Sequence, residues 1–278
     1  MKNNIRIPLK TKLDERSKFL RSLIVQSLIG GGRGHMGSAM SLVEILRVIY
    51  DKIANISPRL VNNPERDRII LSKGHGCLAL YAILADKKFI KISDLKNVAK
   101  FNSNLGGHPE SDKINGVEAS TGSLGHGMPI AVGQALSAKL KKKKYNIFVI
   151  VGDGEINEGS VWESALIAAK HKLNNLKVIL DYNKIQSYGK TNEVLDLEPL
   201  LEKWKSFGFD VSEVNGHDTK SLLNNFKRFK KNKSKKPSIT ICHTIKGKGF
   251  YFAENNPFWH HKNNFTMQEV ENLLDCCK

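Results

Sequence analysis

Long apolar runs are lacking in this sequence of 278 residues. No stretch approaches the ~20 consecutive apolar residues that a helix needs to cross a bilayer. The opening residues, MKNNIRIPLKTKLDERSKF, contain no apolar segment typical of a signal peptide. We therefore expect a cytoplasmic protein that is not associated with a membrane.

Cysteine is also scarce, with four residues: Cys77, Cys242, Cys276 and Cys277. Their spacing matches no metal-binding pattern, and two adjacent cysteines are poorly placed to form a disulfide with each other. This usage argues against a disulfide-stabilised extracellular domain and against a zinc site. We expect reduced thiols.

Acidic residues are too few to balance the basic ones, 27 against 44, and the formal net charge is +17. Such a surface suits either nucleic acid or phosphorylated ligands. The lysines concentrate at Lys139, Lys141–Lys144 and Lys227–Lys236, just before apolar stretches typical of strands. Aromatic residues are not interleaved with them, as binding of single-stranded nucleic acid would favour. Solvated helix ends and loops are the better interpretation, so nucleic acid is disfavoured as a partner.

Helical and strand-like segments alternate along the chain. The apolar spacing predicts helices over 14–29, Leu42–Tyr50, 77–86, 125–144, 162–171 and near 197–207. Strands are predicted over 66–72, Asn146–Val151, 176–182 and 238–243. Continuous apolar strands such as IFVIV are typical of a parallel sheet covered by helices on both faces. We predict one α/β domain over residues 1–278, with the tail from about 251 packing over it.

A glycine pattern near the start, LIGGGRGHMGSAM, matches the spacing of a dinucleotide-binding loop at Gly32, Gly34 and Gly37. That loop must follow a strand and open a helix. Here it follows an amphipathic helix, and no acidic residue stands about 20 positions further on at the end of a second strand. The dinucleotide interpretation therefore fails, and we expect Gly34 and Gly37 to allow a tight bend that presents His35.

Polar residues follow two successive predicted strands. Gly152, Asp153 and Gly154 stand at the carboxyl end of one strand, and Asn183 closes the next. Ligands of open α/β sheets bind at this edge. A carboxylate, an amide oxygen and the Ile185 carbonyl would form an oxygen-only set suited to Mg²⁺ or Ca²⁺. A simple tight turn is the alternative, but the recurrence at Asn183 argues against it.

Three histidines directly follow glycine: His35, His75 and His108. Imidazole exchanges protons near neutral pH, and glycine allows close backbone approach in a narrow pocket. For a single histidine a structural role is the better interpretation. The repeated pattern favours acid–base chemistry on a bound ligand.

The ordered motifs resemble the transketolase family of thiamine diphosphate enzymes over nearly the whole chain. The segments that carry the resemblance are GRGHMG, RDRIILSKGHGCLALYAIL, NLGGHPE, EASTGSLGHGMPIAVG, GDGEINEGSVWE and DYNKI. The resemblance implies the thiamine diphosphate-binding, diphosphate-domain fold. It also implies two cofactors, thiamine diphosphate and Mg²⁺, for which Ca²⁺ or Mn²⁺ would substitute.

Roles for individual residues also follow from this resemblance. Asp153, Asn183 and the Ile185 carbonyl would hold the metal, with Gly152 and Gly154 beside the diphosphate. Gly122, Leu124 and Gly125 would lie along the cofactor rings. The catalytic histidines would be His35, His75, His108 and His260, of which His75 and His260 also contact the cofactor. Glu158 would contact the cofactor site, and it would lie with Glu163 at an interface between paired active sites. His126, His171, His217 and His261 are left structural or unassigned.

Three features depart from the family pattern. Ser123 replaces a proline that is common in the cofactor turn. His261 stands where related chains tend to carry glycine, which leaves the choice between His260 and His261 open. The chain also ends where the pyrimidine-binding domain of full-length members begins. The resemblance therefore implies the N-terminal subunit of a split transketolase, whose pyrimidine and C-terminal domains lie on a separate C-terminal subunit in an α₂β₂ assembly.

Three functions remain open at this stage. The first is transfer of a two-carbon ketol unit from a ketose phosphate to an aldose phosphate, as in the pentose phosphate pathway. The second is a related ketol or acyl transfer from a different donor, such as a sulfonated or unphosphorylated sugar. The third is a non-catalytic protein that binds nucleic acid through its basic surface, which the histidines and the metal set argue against.

Overall fold

A five-stranded parallel sheet forms the centre of the molecule in the computed structural model, which describes residues 10–231 and 234–277. Its strands are β2 (Arg68–Leu71), β3 (Ile147–Gly152), β4 (Leu176–Tyr182), β5 (Asp210–Asn215) and β6 (Ser238–His243). They are ordered β2-β3-β4-β6-β5 across the sheet. All four strand pairs are parallel, so their carboxyl ends meet at one edge.

Helices cover both faces of this sheet, and alternate residues of each central strand point to opposite faces. Phe148 and Ile150 of β3 pack in one apolar cluster with helices α1 (Glu15–Gly31), α3 (Val43–Val48) and α4 (Cys77–Asp86). Val149 and Val151 pack in a second cluster with α5 (Gly127–Leu140), α6 (Gly159–Lys170) and α8 (Leu200–Ser206). This alternation is what the pleat of a doubly covered strand requires. The predicted fold class is confirmed.

The remaining elements are short or peripheral. They are β1 (Arg33–Gly34), β7 (Lys262–Asn263), α2 (Met36–Met40), α7 (Thr191–Val194), α9 (Thr219–Lys231) and α10 (Met267–Asp275). β1 and β7 pair antiparallel as a small ribbon. Helix α10 packs its buried Leu273 beside α1, as expected for the tail.

The first helix shows why the glycine pattern is not a dinucleotide loop. Asp14 caps α1 by accepting a hydrogen bond from the Ser17 amide at 2.9 Å. The helix ends at Gly32, whose φ of 71° lies in the left-handed region that only glycine enters freely. The predicted bend at Gly34 and Gly37 is therefore wrong in position. Gly37 instead allows close packing, because an added Cβ would stand 3.1 Å from the Trp259 carbonyl.

The sequence analysis did not predict two elements of the sheet's far side, β5 and α9. Two predicted helices also differ in detail. The predicted helix Leu42–Tyr50 is α3 followed by a π-helical turn over Ile49–Ile53. The predicted helix near 197–207 starts at Leu200, because Pro199 precedes it.

The lysine runs lie largely at helix ends, as the sequence indicated. The Nζ of Lys139, near the end of α5, donates to the His171 carbonyl at 2.6 Å. Lys143 forms an ion pair with Glu65. In the second run Lys230 donates to the Ile53 carbonyl at 2.6 Å, while residues 232 and 233 fall outside the described part of the chain.

Two further expectations concern cysteine and the membrane. The four cysteines are free thiols. Within residues 10–231 and 234–277, no helix combines the length and the apolar character that a bilayer span requires.

Candidate active site

A small cavity of about 260 Å³ opens at the carboxyl edge of the sheet. It lies where β2, β3, β4 and β6 end, because the loops that follow these strands supply its walls. The lining includes most of the predicted cofactor residues: Leu124, Gly152, Asp153, Gly154, Glu158, Asn183, Ile185, His75 and His260. The structure therefore brings together residues that are up to 185 positions apart in the sequence.

The oxygen atoms predicted to bind metal lie at the ends of two neighbouring strands. Asp153 follows β3 and Asn183 follows β4, and the two strands pair directly. The Asp153 carboxylate accepts hydrogen bonds from the backbone amides of Gly154 at 2.8 Å and Lys184 at 2.5 Å. Burial and the nearby Asp181 raise the pKa of Asp153 to about 6. A carboxylate in this situation would be stabilised by a bound cation.

A positively charged side chain already lies against this oxygen set. Lys246, which follows β6, is buried and donates from Nζ to the Ile185 carbonyl at 2.8 Å. Burial lowers the pKa of Lys246 to about 8, and Asp153 opposes this shift. The ammonium shows that the Ile185 carbonyl accepts a cationic group here, which fits the predicted role of that oxygen.

Three buried polar atoms of the cavity have no hydrogen-bond partner among the described residues. They are Ser38 Oγ, Gln186 Nε2 and His260 Nδ1. A buried polar group without a partner is costly, and such groups are rare in folded proteins. Their convergence on one cavity indicates a polar ligand that completes their hydrogen bonds.

The glycine turn at 122–125 is held against the cavity by a residue that the sequence analysis missed, Glu155. Its carboxylate accepts from the amides of Gly125 at 3.1 Å and Gly152 at 3.0 Å. Gly125 has a φ of 79°, and a Cβ there would stand 2.6 Å from Ser160 Oγ. Only glycine fits this position, so Ser123 has not displaced the turn. Leu124 lines the cavity beside it.

All four predicted catalytic histidines lie around one point at the cavity mouth. The ring of His35 is 5.5 Å from that of His75, 6.0 Å from His108 and 5.4 Å from His260, measured between centroids. A fifth ring, that of His261, is nearer still, at 4.5 Å from His35. His260 lines the cavity and bonds Ser187 Oγ through Nε2 at 3.0 Å, whereas His261 is exposed.

The four predicted catalytic imidazoles are held in the neutral form. Burial and the surrounding positive charges lower the pKa of His35 to about 4 and that of His260 to about 3. The pKa of His75 is also well below the ordinary value, through burial and Lys73. The pKa of His108 is lowered by burial and by His261. Near neutral pH each ring can therefore accept a proton from a ligand hydroxyl.

The floor of the cavity contains an ion pair that the sequence analysis also missed. Lys73, after β2, donates to the buried Asp181 of β4 at 2.5 Å. Ser41 Oγ donates to the same carboxylate at 2.6 Å, and Thr244 provides a third donor, its hydroxyl. Lys73 and Lys246 both come directly after strands. The strand-end rule that found Asp153 would also have found them.

The other predicted residues lie away from the cavity. Glu163 is exposed on α6, whereas Glu158, which lines the cavity, is exposed at the start of that helix. His217 is buried between Glu44, at 2.8 Å, and the Ile245 amide, at 2.9 Å. His126 and His171 are exposed. Within the described residues, no cluster of three or more His, Cys, Asp or Glu side chains could hold a metal ion.

Oxygen ligands beside backbone amides, at the carboxyl edge of a parallel sheet, are how an α/β domain holds a phosphorylated cofactor. The comparison with known families agrees with this class. Residues 14–273 match the family model described as transketolase, thiamine diphosphate binding domain. The chain belongs to the transketolase family, and the resemblance noted in the sequence is confirmed.

Two relatives of similar length illustrate the range of this family. The chain is 42% identical over 252 residues to one subunit of the apulose-4-phosphate transketolase of Actinobacillus succinogenes, covering 90% of this chain and 91% of the relative. It is 38% identical over 242 residues to the 6-deoxy-6-sulfo-D-fructose transketolase subunit SqwG of a Clostridium species, covering 87% and 88%.

Solved structures share the fold. Transketolase from Campylobacter jejuni matches with a TM-score of 0.85 and 30% identity, over 95% of this chain. This chain covers 42% of that protein's chain. The chain thus spans less than half the length of the solved transketolases that it resembles.

Proposed function

We propose that this chain is the diphosphate-binding subunit of a transketolase that transfers a two-carbon ketol unit from a ketose phosphate to an aldose phosphate. One observation carries the proposal. An oxygen set suited to a divalent cation and a group of neutral imidazoles open onto the same cavity edge. Ketol transfer needs both, a site for the diphosphate and its metal and a set of proton acceptors near the reacting sugar.

The residues fit thiamine diphosphate and Mg²⁺. Asp153, Asn183 and the Ile185 carbonyl would hold the metal, and the partnerless Ser38 and Gln186 would contact the diphosphate. Lys246 would move its ammonium from the Ile185 carbonyl towards a phosphate oxygen. The bound cofactor supplies the electron sink for cleavage of the carbon–carbon bond.

The histidines would act on the sugar. His35 stands at the centre of the group, so its neutral ring would accept and return a proton at a substrate hydroxyl. His75, His108 and His260 would hold neighbouring hydroxyls and exclude water from this end of the cavity. Each proton transfer of this kind contributes about 10²- to 10⁴-fold to the rate.

A separate C-terminal subunit would complete the site, as the names of the two relatives, each a transketolase subunit, indicate for those proteins. The described structure offers a surface for it on α5 and α6. Ile130, Leu166 and Ile167 are exposed there, beside Glu163. Exposed apolar side chains around a carboxylate are typical of an interface. An α₂β₂ assembly would pair two such surfaces.

The donor sugar is open to a second candidate. The names of the two relatives include apulose-4-phosphate and 6-deoxy-6-sulfo-D-fructose, respectively. Their similarity to this chain favours a donor of that wider class as much as the common pentose phosphates. A panel of phosphorylated and sulfonated ketoses, assayed with the reconstituted enzyme, separates these candidates.

Reconstitution tests the proposal directly. The purified chain is mixed with the product of a neighbouring reading frame that encodes a pyrimidine-binding domain, and ketol transfer is assayed with thiamine diphosphate and Mg²⁺. We expect negligible turnover from either chain alone and activity from the pair. Substantial activity from this chain alone would contradict the split-subunit proposal.

A further inference from the structure

The β1–β7 ribbon places His261 opposite His35. Arg33 pairs with Asn263, and Gly34 pairs with Lys262. Continuing this antiparallel register by one residue brings His35 opposite His261. Side chains directly opposite on such a ribbon have Cβ atoms about 5 Å apart, and the two ring centroids are 4.5 Å apart at an angle of 56°. The contact is thus built into the backbone pairing.

We propose that His261 is a positioning residue for His35: the ribbon holds the two imidazoles together at the site where His35 meets the sugar, so that a positive charge on one ring disfavours a proton on the other. The expected effect on turnover rests on the proposed function. The coupling between the two rings does not depend on that function.

The ionisable side chains that act on His35 among residues 10–231 and 234–277 include six basic groups. His261 and His260 come from the segment just before β7, and His108 comes from the loop before α5. Lys73, His75 and Lys246 come from the loops after β2 and β6. After burial, His261 is the strongest of the electrostatic influences that lower the pKa of His35. His261 is exposed, as is His108, whereas His35, His75 and His260 are partly buried.

Because of its position, the effect of His261 on His35 can be measured apart from the effects of the other basic groups. His75 and His260 line the cavity and would contact the cofactor, so substituting them changes several interactions at once. His261 is exposed and is not among the residues that line the cavity. Its replacement therefore removes one imidazole beside His35 and leaves the cavity wall in place.

Histidine titrations by NMR in the isolated chain test the coupling without cofactor, partner or activity. In His261→Gln the ionisable ring beside His35 is lost, and we expect the pKa of His35 to rise by about half a unit to one unit, the size expected for two charges at this distance near water. In His261→Lys a permanent positive charge takes the place of that ring, so the pKa of His35 should stay low as in the wild type. The exposed His171→Gln is a matched control and should leave His35 unchanged.

The reconstituted enzyme gives the second measurement. The acidic limb of the pH profile of kcat should shift to higher pH in His261→Gln and return in His261→Lys. An unchanged His35 pKa in a folded His261→Gln would overturn the inference, whatever the enzyme does. The proposed function fails separately, if His35→Ala retains full turnover in the reconstituted pair.

Discussion

Two buried carboxylates at neighbouring strands of the same sheet differ in the hydrogen-bond partners that the fold gives them. Asp181 of β4 accepts an ammonium hydrogen bond from Lys73 and hydroxyl hydrogen bonds from Ser41 and Thr244. Asp153, one residue beyond β3, accepts only backbone amides and has no ion pair among the described residues. The pKa of Asp181 is accordingly lowered below its usual value, and that of Asp153 is raised to about 6.

This difference distinguishes a carboxylate that stabilises the fold from one that is available to bind a cation. Charge compensation within the chain makes Asp181 part of the folded core, where a buried ion pair with further hydrogen bonds is tolerated. Asp153 is buried and forms no ion pair among the described residues, and the nearby Lys73 and Lys246 offset only part of the cost of its burial. A bound cation would offset more of it. A strand end that carries an uncompensated carboxylate is therefore the better indicator of a metal site.

The largest expected effect on stability comes from Asp181→Asn. This change leaves the Lys73 ammonium buried without its counter-charge, so we expect the free energy of unfolding to fall by about 3–5 kcal/mol. Denaturant unfolding of the metal-free chain measures it. The exposed Asp112→Asn is the control, with an expected change within about 0.5 kcal/mol. Equal effects of the two substitutions would show that the buried pair does not stabilise the fold.

The Asp153 carboxylate should lower the free energy of unfolding, in contrast to Asp181, and its effect should depend on pH. Its pKa in the folded state, about 6, lies above its unfolded value of about 3.9. The folded state therefore holds the extra proton between these values, and its stability from this group is lost as pH rises through 6. Without metal, the wild type should lose about 2 kcal/mol between pH 4 and pH 7 relative to Asp153→Asn. Unfolding at a series of pH values measures this. Parallel curves for the two proteins would contradict it.

The smallest effect concerns two serines of one segment. Ser41 Oγ donates to Asp181 at 2.6 Å, whereas Ser38 Oγ has no partner among the described residues. Ser41→Ala should cost about 1–3 kcal/mol, because it removes a donor to a buried charge. Ser38→Ala should leave stability unchanged or raise it slightly. Thermal unfolding measures both variants. A larger loss of stability in Ser38→Ala than in Ser41→Ala would contradict this difference between the two serines.

The central sheet could be predicted from the sequence because its inner strands are continuously apolar. Segments such as IFVIV and VIL leave few alternatives once helices separate them. The edge strand β5, DVSEVN, was missed because its polar residues are only half buried. The following helix α9 was missed because its lysines, which suit a solvent-facing side, suggested a loop.

The residues of the site that were predicted stand in local sequence patterns. The residues that were missed have roles that arise from contacts with parts of the chain distant in sequence. Asp153, Asn183 and the glycine-preceded histidines stand in recognisable positions at strand ends and turns. Glu155 and Asp181 have no such signal, since their partners Ser72 and Lys73 lie 83 and 108 residues away, respectively. Only the packed sheet shows that Asp181 forms an ion pair and that Asp153 forms none among the described residues.

Calorimetric titration of the chain with thiamine diphosphate and Mg²⁺ tests the central claim most directly. The wild type should show binding that requires the metal, and Asp153→Ala should weaken it by at least about 100-fold, since loss of even an outer contact to a metal site costs about 10- to 100-fold. Asp112→Ala should bind as the wild type does. Unchanged metal-dependent binding in Asp153→Ala would contradict the assignment of the site.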